Sequence, residues 1–149
     1  MRLLSLALST LLLVTYQSHA ASIPLSFGVT YSGTIGLPGE SHTYLFSGTP
    51  GQRVLLDSQE VDGLQINATL LSPSGVVLHQ RNDDYDSGPL VLTEPGPYTL
   101  RIDASGSITG NYRFRLLDFA MATPLTLGAA LQGQLDPGLS CNLYQFSGT

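Results

Sequence analysis

The side chains best suited to chemistry are oxygen ligands in one acidic loop. Four of them fall within five positions of the chain: Asn82, Asp83, Asp84 and Asp86. Carboxylate and amide oxygens clustered in this way suit Ca²⁺, and the first, third and fifth loop positions have the spacing of an EF-hand. The sixth position is Ser87 where an EF-hand needs glycine, and the twelfth is Thr93 where it needs glutamate. The sequence therefore excludes an EF-hand but retains a candidate calcium loop.

Two interpretations of this loop stay open. In the first, it is a calcium site at the end of a β-sandwich, completed by an acid of the preceding loop, namely Asp57, Glu60 or Asp62. In the second, it is a solvated turn in which Asn and Asp side chains bond to their own backbone. Calcium is the one cofactor that the sequence suggests, and the turn interpretation requires none.

Motifs for nucleophilic or metal catalysis are missing from the sequence. It has no G-x-S-x-G, H-E-x-x-H, glycine-rich phosphate loop or C-x-x-C. Beyond the N-terminal segment the chain has two histidines, His42 and His79. We expect His42 to be a surface residue and not a catalytic base, and His79 has no nucleophile nearby in sequence. We therefore predict that the chain is not an enzyme and has no catalytic residues.

Charge and cysteine content exclude several further classes. The chain has six basic residues, all arginine, against eleven acids, with a net charge of −5. Nucleic-acid binding needs clustered Lys and Arg, and anionic lipid also attracts basic segments, so neither partner is expected. Cys141 is the only cysteine, so no disulfide framework exists. It is either a buried thiol or the partner of a cysteine elsewhere in a longer polypeptide.

The N-terminus has the pattern of a secretory signal peptide. Arg2 precedes an apolar run over residues 3–14, and Ser18-His19-Ala20 offers small residues at a cleavage site. The apolar run is too short to span a bilayer, which takes about 20 apolar residues. We predict cleavage after Ala20 and a product that is secreted, periplasmic or at the cell surface, with no membrane span in the mature chain.

The remaining chain reads as β structure. Apolar and polar residues alternate with period two over 43–46, 64–70, 98–103 and 112–116, which predicts half-buried strands. In the last of these, Arg113 and Arg115 should point to water. Shorter candidates cover 29–35, 53–57, 76–80 and 90–92, with Pro-Gly turns between them. About eight such strands predict an all-β fold, an antiparallel β-sandwich that is jelly-roll-like.

Internal repetition is the most informative feature of the sequence. Residues 23–49 and 123–149 match at a constant offset of 100, and both segments end in Ser-Gly-Thr. The matched pairs are Pro24/Pro124, Leu25/Leu125, Gly28/Gly128, Gly33/Gly133, Tyr44/Tyr144 and Phe46/Phe146. A fixed offset over Gly, Pro and aromatic residues is the signature of repeated modules.

The repeat divides the chain into three parts. We expect a signal peptide over 1–20, a complete module over 21–119 and the start of a second, truncated module over 120–149. The chain would then be part of a longer protein. The alternative is a shorter natural protein whose last segment pairs with the first sandwich.

The order of short motifs resembles the bacterial pre-peptidase C-terminal domain, over residues 25–118 and again from 123. The motifs are Gly33 with Tyr44-Leu45-Phe46, Pro50-Gly51-Gln52-Arg53-Val54, Leu70-Leu71-Ser72-Pro73-Ser74-Gly75, Asn82-Asp83-Asp84, Pro95-Gly96-Pro97-Tyr98-Thr99-Leu100 and Gly110-Asn111-Tyr112. The resemblance implies a non-catalytic β-sandwich attached to a separate enzyme or adhesive region. Similar collagenase domains bind collagen and use an acidic N-terminal linker for calcium, but residues 21–30 contain no acid.

These observations predict a binding or spacer module of a larger secreted bacterial protein. Its partner would be an extracellular polymer or another domain of the same protein. Two alternatives from other classes remain. The chain is either the N-terminal part of an exported, peptidase-like enzyme, or a calcium-stiffened unit of a structural array.

Overall fold

The computed structural model describes residues 21–59, 66–82, 86–136 and 139–148. The predicted signal peptide and the loop acids Glu60, Asp62, Asp83 and Asp84 lie outside these residues. Within the described chain no helix has the length and apolar character needed to cross a bilayer.

Eleven strands and one 3₁₀ turn make up the described chain. The strands are β1 (Ile23–Pro24), β2 (Thr30–Ile35), β3 (Ser41–Gly48), β4 (Arg53–Ser58), β5 (Ile66–Leu71), β6 (Val77–Asn82), β7 (Ser87–Val91), β8 (Gly96–Ala104), β9 (Gly110–Asp118), β10 (Thr123–Pro124) and β11 (Tyr144–Gln145). The 3₁₀ turn, Phe119–Met121, connects the first module to the last two strands.

Eight long strands, together with the short β1, form two facing sheets. The five-stranded sheet has the order β1-β3-β8-β5-β6, and the four-stranded sheet has the order β2-β9-β4-β7. Leaving out the short β1, consecutive strands alternate between the sheets except at the β5–β6 hairpin, and this is the strand order of a jelly roll. The predicted all-β sandwich is therefore confirmed.

Period-two alternation builds the core, as the sequence predicts. Tyr98, Leu100 and Ile102 of β8 point inward, and so do Phe114 and Leu116 of β9. The inner faces of the two sheets pack on one another and form one continuous apolar cluster. Apolar burial of this kind is the main favourable contribution to folding, at about 25 cal/mol for each Å² removed from water.

Two glycines allow close packing inside the sandwich. A Cβ on Gly33 of β2 would lie 2.3 Å from the hydroxyl oxygen of Tyr112. A Cβ on Gly48 would lie 2.5 Å from a methyl group of Leu92 and 2.8 Å from the Tyr98 ring. Both positions therefore need glycine because an aromatic side chain occupies the space that a larger residue would fill.

The structure differs from the sequence prediction at the sheet edges. β1 is a two-residue strand parallel to β3, so the five-stranded sheet is mixed instead of purely antiparallel. It holds Pro24, which lacks an N–H and is tolerated in an edge strand. β7 begins at Ser87, earlier than the predicted 90–92, because Ser87 pairs with Leu56 across a β-bulge.

Residues 123–146, which we call the tail, form a separate two-stranded sheet of β10 and β11. Thr123 pairs with Tyr144 in parallel, just as Ile23 pairs with Tyr44 in the first module. The Leu125 amide donates to the Gln145 carbonyl at 2.7 Å, and the Leu25 amide donates to the Leu45 carbonyl at the same distance. The sequence repeat thus coincides with a repeat of strand pairing.

Candidate functional site

The structure describes two of the four candidate calcium ligands. Asn82 is the last residue of β6, and Asp86 immediately precedes β7. The Asp86 carboxylate accepts a hydrogen bond from the Ser58 amide at 2.9 Å, so it points toward the end of β4. Asp83 and Asp84 lie outside the described residues. Calcium binding by this loop therefore stays a prediction.

Asp86 belongs instead to a cluster that the sequence did not reveal. Asp57, Asp86 and Cys141 each bring a potential ligand atom to within 4.8 Å of the other two. Asp57 of β4 is completely buried although it carries a carboxylate. Its Oδ2 accepts hydrogen bonds from Arg115 Nε at 2.9 Å and Arg115 Nη2 at 2.6 Å, and from Gln59 Nε2 at 2.9 Å.

The tail binds to the other side of this carboxylate. The Cys141 amide donates a hydrogen bond to Asp57 Oδ1 at 3.1 Å. Arg115 Nη2 in turn donates to the Cys141 carbonyl oxygen at 2.6 Å. One buried ion pair thus holds the backbone of residue 141 through both its N–H and its C=O. We call Asp57, Arg115 and Cys141 the joint, because they attach the tail to the outer face of the four-stranded sheet.

The electrostatics of the joint keep its thiol neutral. Burial, and then the negative charges of Asp57 and Asp86, raise the pKa of Cys141 to about 12. Burial and, less strongly, the charge of Asp57 also raise the pKa of Asp86. The guanidinium of Arg115 compensates the charge of Asp57 and also binds the backbone of Cys141, so the cluster attaches the tail to the sheet.

The prediction that Arg115 points to water is wrong, whereas the neighbouring Arg113 is exposed as predicted. Only 19% of the Arg115 side chain is exposed to solvent, because residues of the tail cover it. Strand alternation correctly places Arg115 outside the first sandwich, but it gives no information about a segment that returns from residue 141. A charged residue at the end of an apolar run, Asp57 after Val54-Leu55-Leu56, is the weak signal that was present.

A second cluster, which contains a histidine, is a chain of hydrogen bonds through His42, Tyr112 and Tyr44. His42 Nδ1 lies 2.5 Å from the Tyr112 hydroxyl, which lies 2.6 Å from the Tyr44 hydroxyl. His42 Nε2 contacts Glu40 at 3.2 Å, and Glu40 also accepts from the amides of Gly36 and Leu37. The arrangement resembles a carboxylate–imidazole–hydroxyl relay, but Tyr112 is buried and burial raises its pKa. It therefore stabilises the fold, and His42 is half-buried, not a free surface residue.

A flat polar surface covers the outer face of the five-stranded sheet. The strand register aligns Thr43, Arg101, Thr69 and Gln80 in one row across β3, β8, β5 and β6. In the adjacent row, Asp103 binds Arg101 at 2.9 Å and accepts from Asn67 at 3.2 Å. In the first row, Thr69 Oγ1 is buried and has no hydrogen-bond partner among the described residues. We call this surface the polar face.

A cavity of about 390 Å³ also opens beside the joint, between β9 and the tail. Arg115, Asp118 and Met121 are among its lining residues. Arg115 is already bound to Asp57 and Cys141, and Asp118 accepts from Gln52 at 2.7 Å. The charged groups at this cavity are therefore engaged by the protein itself.

Comparison with known proteins identifies the fold. No family model and no curated protein matches the chain. Among solved structures, the periplasmic g-type lysozyme inhibitor PliG of Aeromonas hydrophila is similar, with a TM-score of 0.53, 10% identity, and coverage of 66% of this chain and 96% of that one. The PliG of Salmonella Typhimurium has a TM-score of 0.51 and 19% identity, over 65% of this chain and 97% of that one.

The same comparison finds the pre-peptidase C-terminal domain of a Bacillus anthracis collagenase. It has a TM-score of 0.52 and 14% identity, over 65% of this chain and 95% of that domain. At these identities the likeness concerns the fold alone. The chain thus contains a β-sandwich with the fold of these two groups of domains, in agreement with the fold that the sequence resemblance implied.

Proposed function

We propose that the chain is a non-catalytic accessory module of an exported bacterial protein, in which modules of this kind follow one another. In this proposal the polar face binds an extracellular partner and the joint fixes the first module to the next. Catalysis, where the full protein has any, would belong to another domain. The proposal rests on the tail, which repeats the β1–β3 pairing and is anchored by a buried ion pair.

Several features support a binding role for the polar face. The polar face presents hydroxyl, amide and guanidinium groups on a sheet in which β8 and β5 are interior strands. Thr69 Oγ1 lacks a partner there, and a buried hydroxyl without a hydrogen bond costs stability unless a ligand or water satisfies it. The Arg101 side chain is 46% exposed and can reach a partner. Such groups suit a hydroxyl- or amide-rich polymer.

Fold similarity broadens the set of partners to be tested. The similar structures include inhibitors of g-type lysozyme and a collagenase domain. The test is co-sedimentation of residues 21–149 with insoluble collagen, cellulose and peptidoglycan, and calorimetric titration with a g-type lysozyme. The variant Arg101→Glu alters the polar face. Arg113→Glu makes the same change on the outer face of the other sheet and serves as its control.

We expect binding to one of these partners, a loss of at least tenfold in affinity for Arg101→Glu, and no change for Arg113→Glu. Equal binding by the two variants would assign the interaction to another surface. Failure to bind any of the four partners would contradict the binding role and leave a spacer as the better function.

A further inference from the structure

The tail exposes the residues that its counterpart buries. Leu127, Leu131, Leu135 and Phe146 are each at least half exposed. One hundred positions earlier, Phe27 and Tyr31 pack against the core, and Ile35 and Phe46 are buried within it. Leu131 and Leu135 line one cavity, and clustered exposed apolar side chains of this kind are typical of an interaction site. The first module shows what covers the equivalent surface, namely β8 alongside β3 and β9 alongside β2.

Tyr112 of β9 is the central side chain of that cover. It pairs with Gly33 in the antiparallel register, and its ring occupies the space where a Gly33 Cβ would lie. Its ring also contacts those of His42 and Tyr44 edge-on, at centroid distances of 5.5 and 6.4 Å. Gly33, His42 and Tyr44 thus form a socket for one tyrosine.

The tail contains the same socket without a tyrosine in it. A cavity of about 400 Å³ is lined by Leu131, Gly133, Leu135, Ser140, Cys141, Asn142 and Tyr144. At the offset of 100, Gly133, Asn142 and Tyr144 correspond to Gly33, His42 and Tyr44. A Cβ on Gly133 would lie no closer than 3.6 Å to another group, the Tyr144 hydroxyl. Among the residues that the structure describes, none fills the space beside Gly133 as Tyr112 fills the space beside Gly33.

A second observation also indicates that a polar group is missing from this socket. Ser140 is 6% exposed, and its Oγ is buried without a hydrogen-bond partner among the described residues. Its counterpart Glu40 bonds to His42 and so supports the Tyr112 hydroxyl. The cavity therefore combines apolar walls with a hydroxyl and an amide side chain, which suits a phenol better than a purely apolar side chain.

We propose that this cavity binds the tyrosine of a β9-type strand that belongs to a further repeat of the same polypeptide. The strand would pair with residues 130–135 in the antiparallel register that β9 uses with β2. The inference rests on the repeat of modules in the proposed function, and it adds the docking position and the anchor residue. Glycine at 133 is then a specificity determinant, because a larger side chain there would fill the socket.

The experiment supplies the missing strands from the protein itself. Residues 21–149 are extended directly by a second copy of residues 50–119. Since residues 47–49 and 147–149 are both Ser-Gly-Thr, joining Thr149 to Pro50 of the second copy reproduces the natural step from Thr49 to Pro50. Hydrogen exchange of residues 130–135 and 142–146 is compared with that of the unextended chain. We expect exchange of these amides to slow by roughly a hundredfold, because a closed second sandwich must open before they exchange.

Three variants of the extended chain test the socket. Gly133→Val, and Tyr112→Ala in the appended copy, should each remove most of the added protection, whereas Tyr112→Phe in that copy should retain it. Gly133→Val should leave the unextended chain unchanged in melting temperature, because an added Cβ would lie no closer than 3.6 Å to another group. This control separates filling of the socket from general destabilisation.

The possible failures are distinguishable. Added protection that persists in Gly133→Val and in Tyr112→Ala would overturn the socket while leaving the repeat of modules intact. An extended chain without added protection would contradict both. Concentration-dependent dimerisation of the unextended chain that protects residues 130–135 would show that a second copy, not a further repeat, covers the surface.

Discussion

Residues 23–46 and the tail begin with the same parallel strand pair in the same register, yet their side chains differ in burial. Phe46 is 5% exposed and Phe146 is 62% exposed. Gly28 and Gly128 also share a positive φ, of 77° and 84°, a conformation that favours glycine. The comparison shows that short-range features specify the backbone of this unit, whereas β8 and β9 supply its burial. Strand pairing and core formation are thus separable in this fold.

The largest expected difference between the two regions concerns Ile35 and its counterpart Leu135. Ile35 is fully buried, so Ile35→Ala should lower the free energy of unfolding by about 3 kcal/mol through lost burial and a residual cavity. Leu135 is half exposed, so Leu135→Ala should change it by no more than about 0.5 kcal/mol. Urea denaturation of residues 21–149 measures both. A comparable loss for Leu135→Ala would show that the tail is packed against a core in solution.

The joint is the next strongest test, because it connects the two regions. Asp57→Asn leaves the partly buried guanidinium of Arg115 without its counter-ion, so stability should fall by about 2 kcal/mol. The pair of Arg101 and Asp103, which is more exposed than that of Arg115 and Asp57, provides the control, since Asp103→Asn should cost about 0.5 kcal/mol or less.

Asp57→Asn should also change the chemistry of Cys141. Removing a negative charge lowers the pKa of the thiol, and loosening the tail exposes it. The rate of alkylation by iodoacetamide at pH 8 should therefore rise by about tenfold, as expected for a fall of one pKa unit. An unchanged rate in Asp57→Asn would show that contacts other than the joint hold residue 141.

The sequence was informative wherever a feature depended on neighbours along the chain. Alternation in 98–103 and 112–116 predicted β8, β9 and their buried faces, and the residues matched at the offset of 100 include Tyr44 and Tyr144, which pair alike. Tyr98 buries its ring and bonds to the backbone of Glu94, whereas the Tyr112 hydroxyl bonds to the side chains of His42 and Tyr44.

The candidate site was harder to predict because its contacts span long separations. Asp57 and Cys141 are 84 residues apart, and no periodic pattern links them. The acidic loop was predicted as a candidate calcium site because its ligands lie close together in sequence. In the structure, however, the Asp86 carboxylate contacts Ser58 and Cys141. Ordinary residue types thus form the joint, and only the three-dimensional arrangement makes Asp57 exceptional.

The smallest expected effect comes from Glu40, which the tail replaces by Ser140. Hydrogen bonds from the amides of Gly36 and Leu37, and then the contact with His42, hold the pKa of Glu40 below its usual value of 4.5. A lowered carboxyl pKa stabilises the folded state above pH 4.5, and this contribution disappears as the pH falls through the lower, folded value. Glu40→Gln should therefore lower the melting temperature at neutral pH, and this deficit should shrink as the pH falls through the folded pKa of Glu40.

Glu94 is a second carboxyl with a lowered pKa, which results from hydrogen bonds donated by Ser74 and Ser72. Because Glu94 is unchanged in Glu40→Gln, comparing this variant with the parent chain isolates the contribution of Glu40. Ser140→Ala should have no pH-dependent effect, since the residue carries no charge and its Oγ makes no hydrogen bond within the described chain. Melting curves between pH 2 and 7 test both variants. If the deficit of Glu40→Gln stays constant across that range, the hydrogen bonds of Glu40 do not depend on its charge, and the two regions differ at this position only in packing.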